Sequence, residues 1–337
     1  MHNSPSFFRP VSILGTGHAL PQRMLTSAEL DATLHLAAGT VERISGVRHR
    51  PLAGPDDTAA SLGAAAARNA LDAAGVTLRQ IDLVVCASGT QDQGMPCNAA
   101  LLHRELGLGG SGVPAMDINA SCLSFIAALD TLSWPLAAGR YQRVLLVCSD
   151  IASCGLDWQQ VGVSGIFGDG AAAVVLAPGE RRGAGIIASS LKTYSEGAGY
   201  CEIRAGGSRY HPSRISEPFA PLTRFAMHGK PVFRLTAQYL PGLVDSVLAQ
   251  AGMTLAEVDW IVPHQASRQS LDHAFKRLGF DVNKVVDIFA GHGNQIAASL
   301  PTALDIAIRD QRIRRGHRVL LVGTGAGLSL GGMILEY

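Results

Sequence analysis

The stretches AGVTLRQIDLVV (Ala74 to Val85) and AGMTLAEVDWIV (Ala251 to Val262) state one phrase twice within a single chain, with Gly75 paired to Gly252 at a separation of 177 positions. Each copy runs from an Ala-Gly helix end through a polar turn into an apolar, β-branched run, so each reads as helix, turn and strand. Working outward, QRVLLVCSD matches HRVLLVGTG, with Val144 paired to Val319. NASCLSFIAALD matches NQIAASLPTALD, with Asn119 paired to Asn294 and Asp130 to Asp305; these pairs lie 175 positions apart. Three matches in one order at almost one offset mark a duplicated α/β unit. The seam is expected in the turn-rich, charged stretch PGERRGAG, Pro178 to Gly185, giving halves 1–180 and 181–337.

The rest of the chain agrees with this class. Apolar runs such as IDLVVCA, RVLLVCSD and AAAVVLA alternate with Ala-rich helical stretches. The 337 residues are 47% hydrophobic and 16% charged, enough for a large core, and the net charge of +1 argues against nucleic acid or membrane held by bulk electrostatics. The six cysteines form no CxxC pair, and no apolar window is long enough to span a bilayer, so a reduced, soluble, cytoplasmic protein is expected. GTGHALP and GTGAGLSLGG look superficially like phosphate loops, but neither continues as a dinucleotide fingerprint; no Walker motif or metal-ligand spacing is present, so no metal and no cofactor is expected.

Candidate chemistry gathers at strand ends. Cys122, in INASCLSF, stands at a strand-to-helix junction, where a helix N-terminus is expected to favour the thiolate. His264 follows the strand VDWIV in PHQAS, and Asn294 lies in GHGNQIAASLP, beyond a strand expected at VVDIFA. Duplication places matching loops face to face, so nucleophile, histidine and amide donor are expected to converge, as nucleophilic catalysis on an acyl group requires. Gly325 to Gly327 are expected to pack closely beside the cysteine and supply an N–H to an oxyanion. Cys86, Cys148 and Cys154 read as small buried residues.

INASCLSFIAALD, VPHQAS, GHGNQIAASLPTALD, IFGDGAAAVVL and GTGAGLSLGG together resemble β-ketoacyl-acyl carrier protein synthase III, a condensing enzyme of the thiolase superfamily, over nearly the whole chain. The resemblance implies a thiolase-like α/β fold of two βαβαβαββ halves in a five-layered αβαβα sandwich, usually a homodimer. It implies Cys122, His264 and Asn294 as catalytic residues, backbone N–H groups of Cys122 and Ala326 as the oxyanion hole, and Met95, Phe233 and Ser267 as substrate contacts. It further implies that Cys122 takes an acyl group from an acyl-coenzyme A or acyl carrier protein thioester, with which a malonyl thioester is then decarboxylated and condensed.

Some positions depart from the family pattern. Thr40 and Ile44 stand where relatives primed by acetyl-coenzyme A carry a Trp and an Arg that clamp the adenine; Val161 replaces a second Arg, and Ser267 an Asn. Met95 takes the place of a residue that reaches across the dimer into the partner's acyl pocket. The segment Tyr200 to Lys230, with Arg204, Arg209, Arg214 and Arg224, is either a solvated loop or a surface for an acidic carrier. Two other activities stay open: transfer of the acyl group to an alcohol or amine without decarboxylation, and hydrolysis by a papain-like cysteine enzyme, whose local signature is absent. An inactive partner of another condensing enzyme is disfavoured by the three catalytic positions.

Overall fold

A computed structural model describes residues 8–179 and 184–337. Residues 180–183, on which the expected seam and the 180/181 boundary fall, lie outside the described residues.

The repeated phrase folds the same way in both places. Gly75 ends one helix at φ 63°, ψ 30°, and Gly252 ends another at φ 63°, ψ 32°, a left-handed conformation that glycine adopts without a Cβ clash. A single 3₁₀ turn follows each, closed by Thr77 with Gln80 and by Thr254 with Glu257. Asp82 and Asp259 then fasten the next strand to its neighbour: the Asp82 carboxylate accepts from the N–H groups of Gln142 and Arg143, and the Asp259 carboxylate from Arg318 N–H at 2.8 Å.

The first sheet holds β1 (Val11–Ala19), β2 (Leu83–Cys86), β3 (Ala115–Asp117), β4 (Val144–Asp150) and β5 (Gly170–Pro178) in the order β1-β5-β4-β2-β3. The second holds β6 (Gly185–Thr193), β7 (Trp260–Pro263), β8 (Arg318–Gly325) and β9 (Ser329–Glu336) in the order β6-β9-β8-β7. The pairings follow one scheme, antiparallel on both sides of β5 and of β9, and parallel between β2 and β4 and between β7 and β8. The counterpart of β3 shrinks to one parallel bridge, Val285 to Ile261. The strand expected at VVDIFA is therefore a correction: the Asp287 carboxylate accepts from Phe289 N–H at 3.0 Å and turns the chain into a short helix at Phe289–His292.

Among the described residues six longer helices cover the sheets: α1 (Ala59–Ala74), α2 (Asn98–Glu105), α3 (Ser124–Ala137), α4 (Gly229–Ala251), α5 (Arg268–Leu278) and α6 (Ser299–Arg309). Helices α3 and α6 lie between the sheets, in a core that also takes Val85, Leu146, Val174, Val262, Leu321 and Met333. Helix α1 covers the outer face of the first sheet and α4 with α5 that of the second, completing five layers. The glycines of GTGHALP lie inside β1 and are sites of close packing rather than phosphate binding: a Cβ on Gly15 would sit 2.4 Å from the Ala74 nitrogen. The central helices cross over between halves, since Asp130 on α3 bonds Ser189 on β6, while Asp305 on α6 accepts from Thr16 on β1 at 2.5 Å. Among the described residues no helix is long and apolar enough to cross a membrane.

Candidate active site

Two equivalent turns carry the site. In the first, the Asn119 side-chain oxygen accepts from Ser121 N–H at 2.8 Å, Ser121 takes φ 54°, and the Ser124 hydroxyl accepts from Ala120 N–H at 2.9 Å as α3 begins. In the second, the Asn294 oxygen accepts from Ile296 N–H at 2.8 Å, Ile296 takes φ 54°, and the Ser299 hydroxyl accepts from Gln295 N–H at 2.8 Å. A left-handed non-glycine residue costs about 1–3 kcal/mol, and a β-branched one is a clear outlier, so both conformations are held by the turns around them. The bend aims Cys122 outward in one half and the Asn294 amide in the other.

Cys122 does not have the depressed pKa expected of a helix N-terminus. Burial pushes its thiol up to about 12, and the nearby Asp150 carboxylate and Cys201 thiol add to the rise; the backbone N–H groups of Ala326 and of Cys122 itself bond the sulfur and pull weakly the other way. The resting group is a neutral thiol, because desolvation penalises the charged form more than the helix end rewards it. Both N–H groups thus lie beside the sulfur, close to where the oxygen of an acyl group carried on it would stand, as an oxyanion hole requires. Cys86 and Cys148 are buried as expected, but Cys154 is exposed and lines the cavity, because it sits in a 3₁₀ turn after β4 rather than within a strand.

His264 is 5% exposed, and burial depresses its pKa to about 4, so the ring is neutral at pH 7. Its Nδ1 has no hydrogen-bond partner among the described residues. The ring's position depends on Gly323, where a Cβ would sit 2.7 Å from the His264 Cβ and 3.2 Å from the side chain of Leu123. Asn294 donates from Nδ2 to the Ala266 carbonyl at 3.2 Å, and its backbone forms a parallel bridge with Phe167 of IFGDG. Each of these residues is followed by a fully buried glutamine that pins the turn: Gln265 bonds the carbonyls of Pro263 and Val286, and Gln295 that of Asp169.

Cys122, His264, Asn294, Ala326, Phe233 and Ser267 all line one cavity of about 1190 Å³. Met95 is outside it within its own chain and 83% exposed, on the loop whose Gln93 and Gly94 do line it. Ile44 forms part of the rim at 48% exposure, whereas Thr40 and Val161 do not line the cavity. Ser267 caps α5, accepting from Ser270 N–H at 3.2 Å. In the arginine-rich segment, Arg204 and Arg209 stack on the half-buried Tyr210. Among the described residues no three His, Cys, Asp or Glu side chains gather as metal ligands.

Asp150 escaped the reading of the sequence. It is fully buried at the end of β4, its pKa raised to about 6 by burial against the pull of its hydrogen bonds, and it accepts from Gly89 N–H, Thr90 N–H and the Thr90 hydroxyl at 2.7 to 2.9 Å, and from Ala298 N–H at 3.2 Å. It thereby ties the loop before Met95 to the turn that carries Asn294. The available signal was the repeat itself, which sets Asp150 against Gly325 in otherwise matching strands.

Residues 116–195 match the family described as 3-oxoacyl-[acyl-carrier-protein (ACP)] synthase III, and residues 248–337 match its C-terminal part. The β-ketoacyl-[acyl-carrier-protein] synthase III of Neisseria meningitidis is 35% identical over 326 residues, 96% of this chain and 98% of that protein. The enzyme of that name from Symbiobacterium thermophilum is 36% identical over 331 residues, 98% of each. The crystal structure of the 3-oxoacyl-(acyl carrier protein) synthase III of Pseudomonas aeruginosa superposes with a TM-score of 0.87 at 30% identity, covering 98% of both chains.

Proposed function

The chain belongs to the β-ketoacyl-acyl carrier protein synthase III family, and from that membership we propose that it transfers an acyl group to Cys122 and condenses it with a malonyl thioester. The observation that carries the proposal is the convergence of Cys122, the Ala326 N–H, His264 and Asn294 on one cavity.

In the first step the Cys122 sulfur attacks the carbonyl carbon of an acyl thioester carried by coenzyme A or an acyl carrier protein. The negative charge on the carbonyl oxygen is met by the N–H groups of Cys122 and Ala326. The carrier thiolate leaves with the proton that Cys122 loses, which suits a cysteine that rests as a neutral thiol. In the second step the malonyl thioester carbonyl lies against His264 and Asn294. Its carboxylate departs as carbon dioxide, the electron pair of the broken carbon–carbon bond forms an enolate, and the two side chains donate to the enolate oxygen. Neutral donors favour this transition state because the charge appears only as the bond breaks. The enolate carbon then attacks the acyl-cysteine, the Cys122 thiolate is released and takes up a proton, and a β-ketoacyl thioester leaves.

The exposed Met95 and the open edge strand β3, with Met116 also exposed, support a homodimer in which Met95 meets the partner. The experiment is carbon dioxide release from labelled malonyl thioester. His264→Ala and Asn294→Ala are expected to accept the acyl group yet lose decarboxylation by at least a hundredfold; unimpaired release in both excludes their role.

A further inference from the structure

The loop after β2 touches both left-handed turns at Gly89, where a Cβ would sit 2.6 Å from the Ile296 side chain and 3.5 Å from the Ser121 carbonyl carbon. Asp150 fixes that loop. One of its carboxylate oxygens takes all three donors of Gly89 and Thr90, and the other takes the Ala298 N–H, just before α6 and just beyond Asn294. Among the described residues no Lys, Arg or His pairs with it, so its charge is held by N–H and O–H donors alone.

The duplication makes this grip one-sided. Gly325 stands where the repeat places Asp150, and Leu123 where it places Ala298. A Cβ on Gly325 would already lie 3.0 Å from the Ala120 carbonyl oxygen and 3.4 Å from the Leu123 nitrogen, so the Cys122 turn has no room for an acid there. The carboxylate therefore bonds the Asn294 turn alone. The titratable groups that interact with Asp150 are the thiols of Cys86, Cys122 and Cys148, all pushed up by burial, the first two to about 12. Residues 87–91 and 293–299, which pack against it, contribute none. Asp150, raised to about 6 by burial against the pull of its hydrogen bonds, is thus the member of this cluster that changes charge nearest neutral pH.

We propose that ionised Asp150 is a positioning residue for the decarboxylating half of the reaction, holding the Asn294 amide in place through the Ala298 N–H. The proposal rests on the reading that His264 and Asn294 serve that half. A carboxylate accepts at both oxygens. Protonation, or replacement by asparagine, leaves the oxygen with three donors as an acceptor and turns an O–H or N–H toward the Ala298 N–H, donor against donor. The Asn294 turn then loses its tether while the loop keeps its own. The same change removes a negative charge near Cys122, which eases formation of the thiolate, so the two half-reactions respond in opposite directions.

The test measures the halves separately. Acylation of Cys122 is followed by intact-protein mass with acetyl, butanoyl and octanoyl thioesters of N-acetylcysteamine. Carbon dioxide release from labelled malonyl-acyl carrier protein is then measured per acylated enzyme, which cancels any loss of folded protein. Asp150→Asn is expected to acylate at least as fast as the wild type and to release carbon dioxide on the order of tenfold to a hundredfold more slowly, the scale a small misplacement imposes. Wild-type release is expected to fall as pH drops through about 6, where His264, at about 4, stays neutral, and release by the variant to be flat there. Thr90→Val removes one donor to the carboxylate and is expected to move the midpoint upward by about one pH unit. Release by Asp150→Asn as fast as wild type's, or a midpoint unmoved by Thr90→Val, overturns the proposal and leaves the roles of Cys122, His264 and Asn294 standing. Acylated wild type that releases no carbon dioxide overturns that reading, and this one with it.

Discussion

The turn from Asn119 to Ser124 and the turn from Asn294 to Ser299 share their backbone and differ in what they expose. Both use an asparagine oxygen to hold the N–H two residues on at 2.8 Å, both place that residue at φ 54°, and both end on a fully buried serine that starts a central helix. In the first turn the asparagine is exposed and Cys122 follows the bend; in the second the asparagine is 5% exposed and the position of Cys122 is taken by Ala297. Duplication supplied one geometry, and burial decided which group in each copy faces the cavity. A thiol from one half and an amide from the other thus reach a common cavity without either half containing a complete site.

The sharpest way to break this arrangement is at Gly323. In Gly323→Ala the new methyl group meets the His264 Cβ at 2.7 Å against backbone-anchored neighbours, so the ring must move. Decarboxylation of malonyl thioester is expected to fall by about a hundredfold, since a misplaced group of this kind costs rate steeply. Thermal melting should show a loss of about 1–3 kcal/mol from overpacking. Activity and stability equal to wild type refute the dependence of His264 on this glycine.

The equivalence of the turns is sharpened by comparing Ser124→Ala with Ser299→Ala. Each leaves one N–H, that of the half-buried Ala120 or of the buried Gln295, without its acceptor, so both are expected to cost about 1–3 kcal/mol in urea unfolding. Costs that differ by more than a factor of three show that the two serines do not play the same part.

The smallest expected effect is on pH. The His264 pKa of about 4 lies below the ordinary histidine value, so the unfolded chain binds more protons in between, and this group removes stability as pH falls from about 6.5 toward 4. Asp150, at about 6, has the opposite sign: the folded chain binds more protons between about 3.8 and 6, so this group adds stability as pH falls through that window. The two oppose each other, and Asp150→Asn removes the second. Its stability should therefore fall more steeply than wild type's between pH 6 and 4, and parallel curves contradict the assignment.

The sequence made the duplication legible because helix ends, capping threonines and strand-fastening aspartates are local devices with local signatures: Gly75 and Thr77 repeat at Gly252 and Thr254. The cluster of Cys122, His264 and Asn294 was legible for the same reason, as strand-end residues of a repeated sheet. What escaped was set by tertiary burial. The Cys122 thiol is neutral because surrounding protein outweighs the helix end, and a pattern of letters carries no desolvation. Asp150 looked like the end of a strand, since its four donors come from segments some sixty and some hundred and fifty residues away. The missing strand at Val285 turned on one side-chain bond from Asp287, which an apolar run does not reveal.

The division of labour between the turns is tested most directly by intact-protein mass spectrometry of wild type and Cys122→Ala after exposure to acyl thioesters. Ala297 shows that the second turn carries alanine at this position, so the variant should fold. The account predicts one acyl adduct on the wild type, mapped to the peptide containing residue 122, and none on Cys122→Ala. An adduct of equal size and extent on the variant would contradict it.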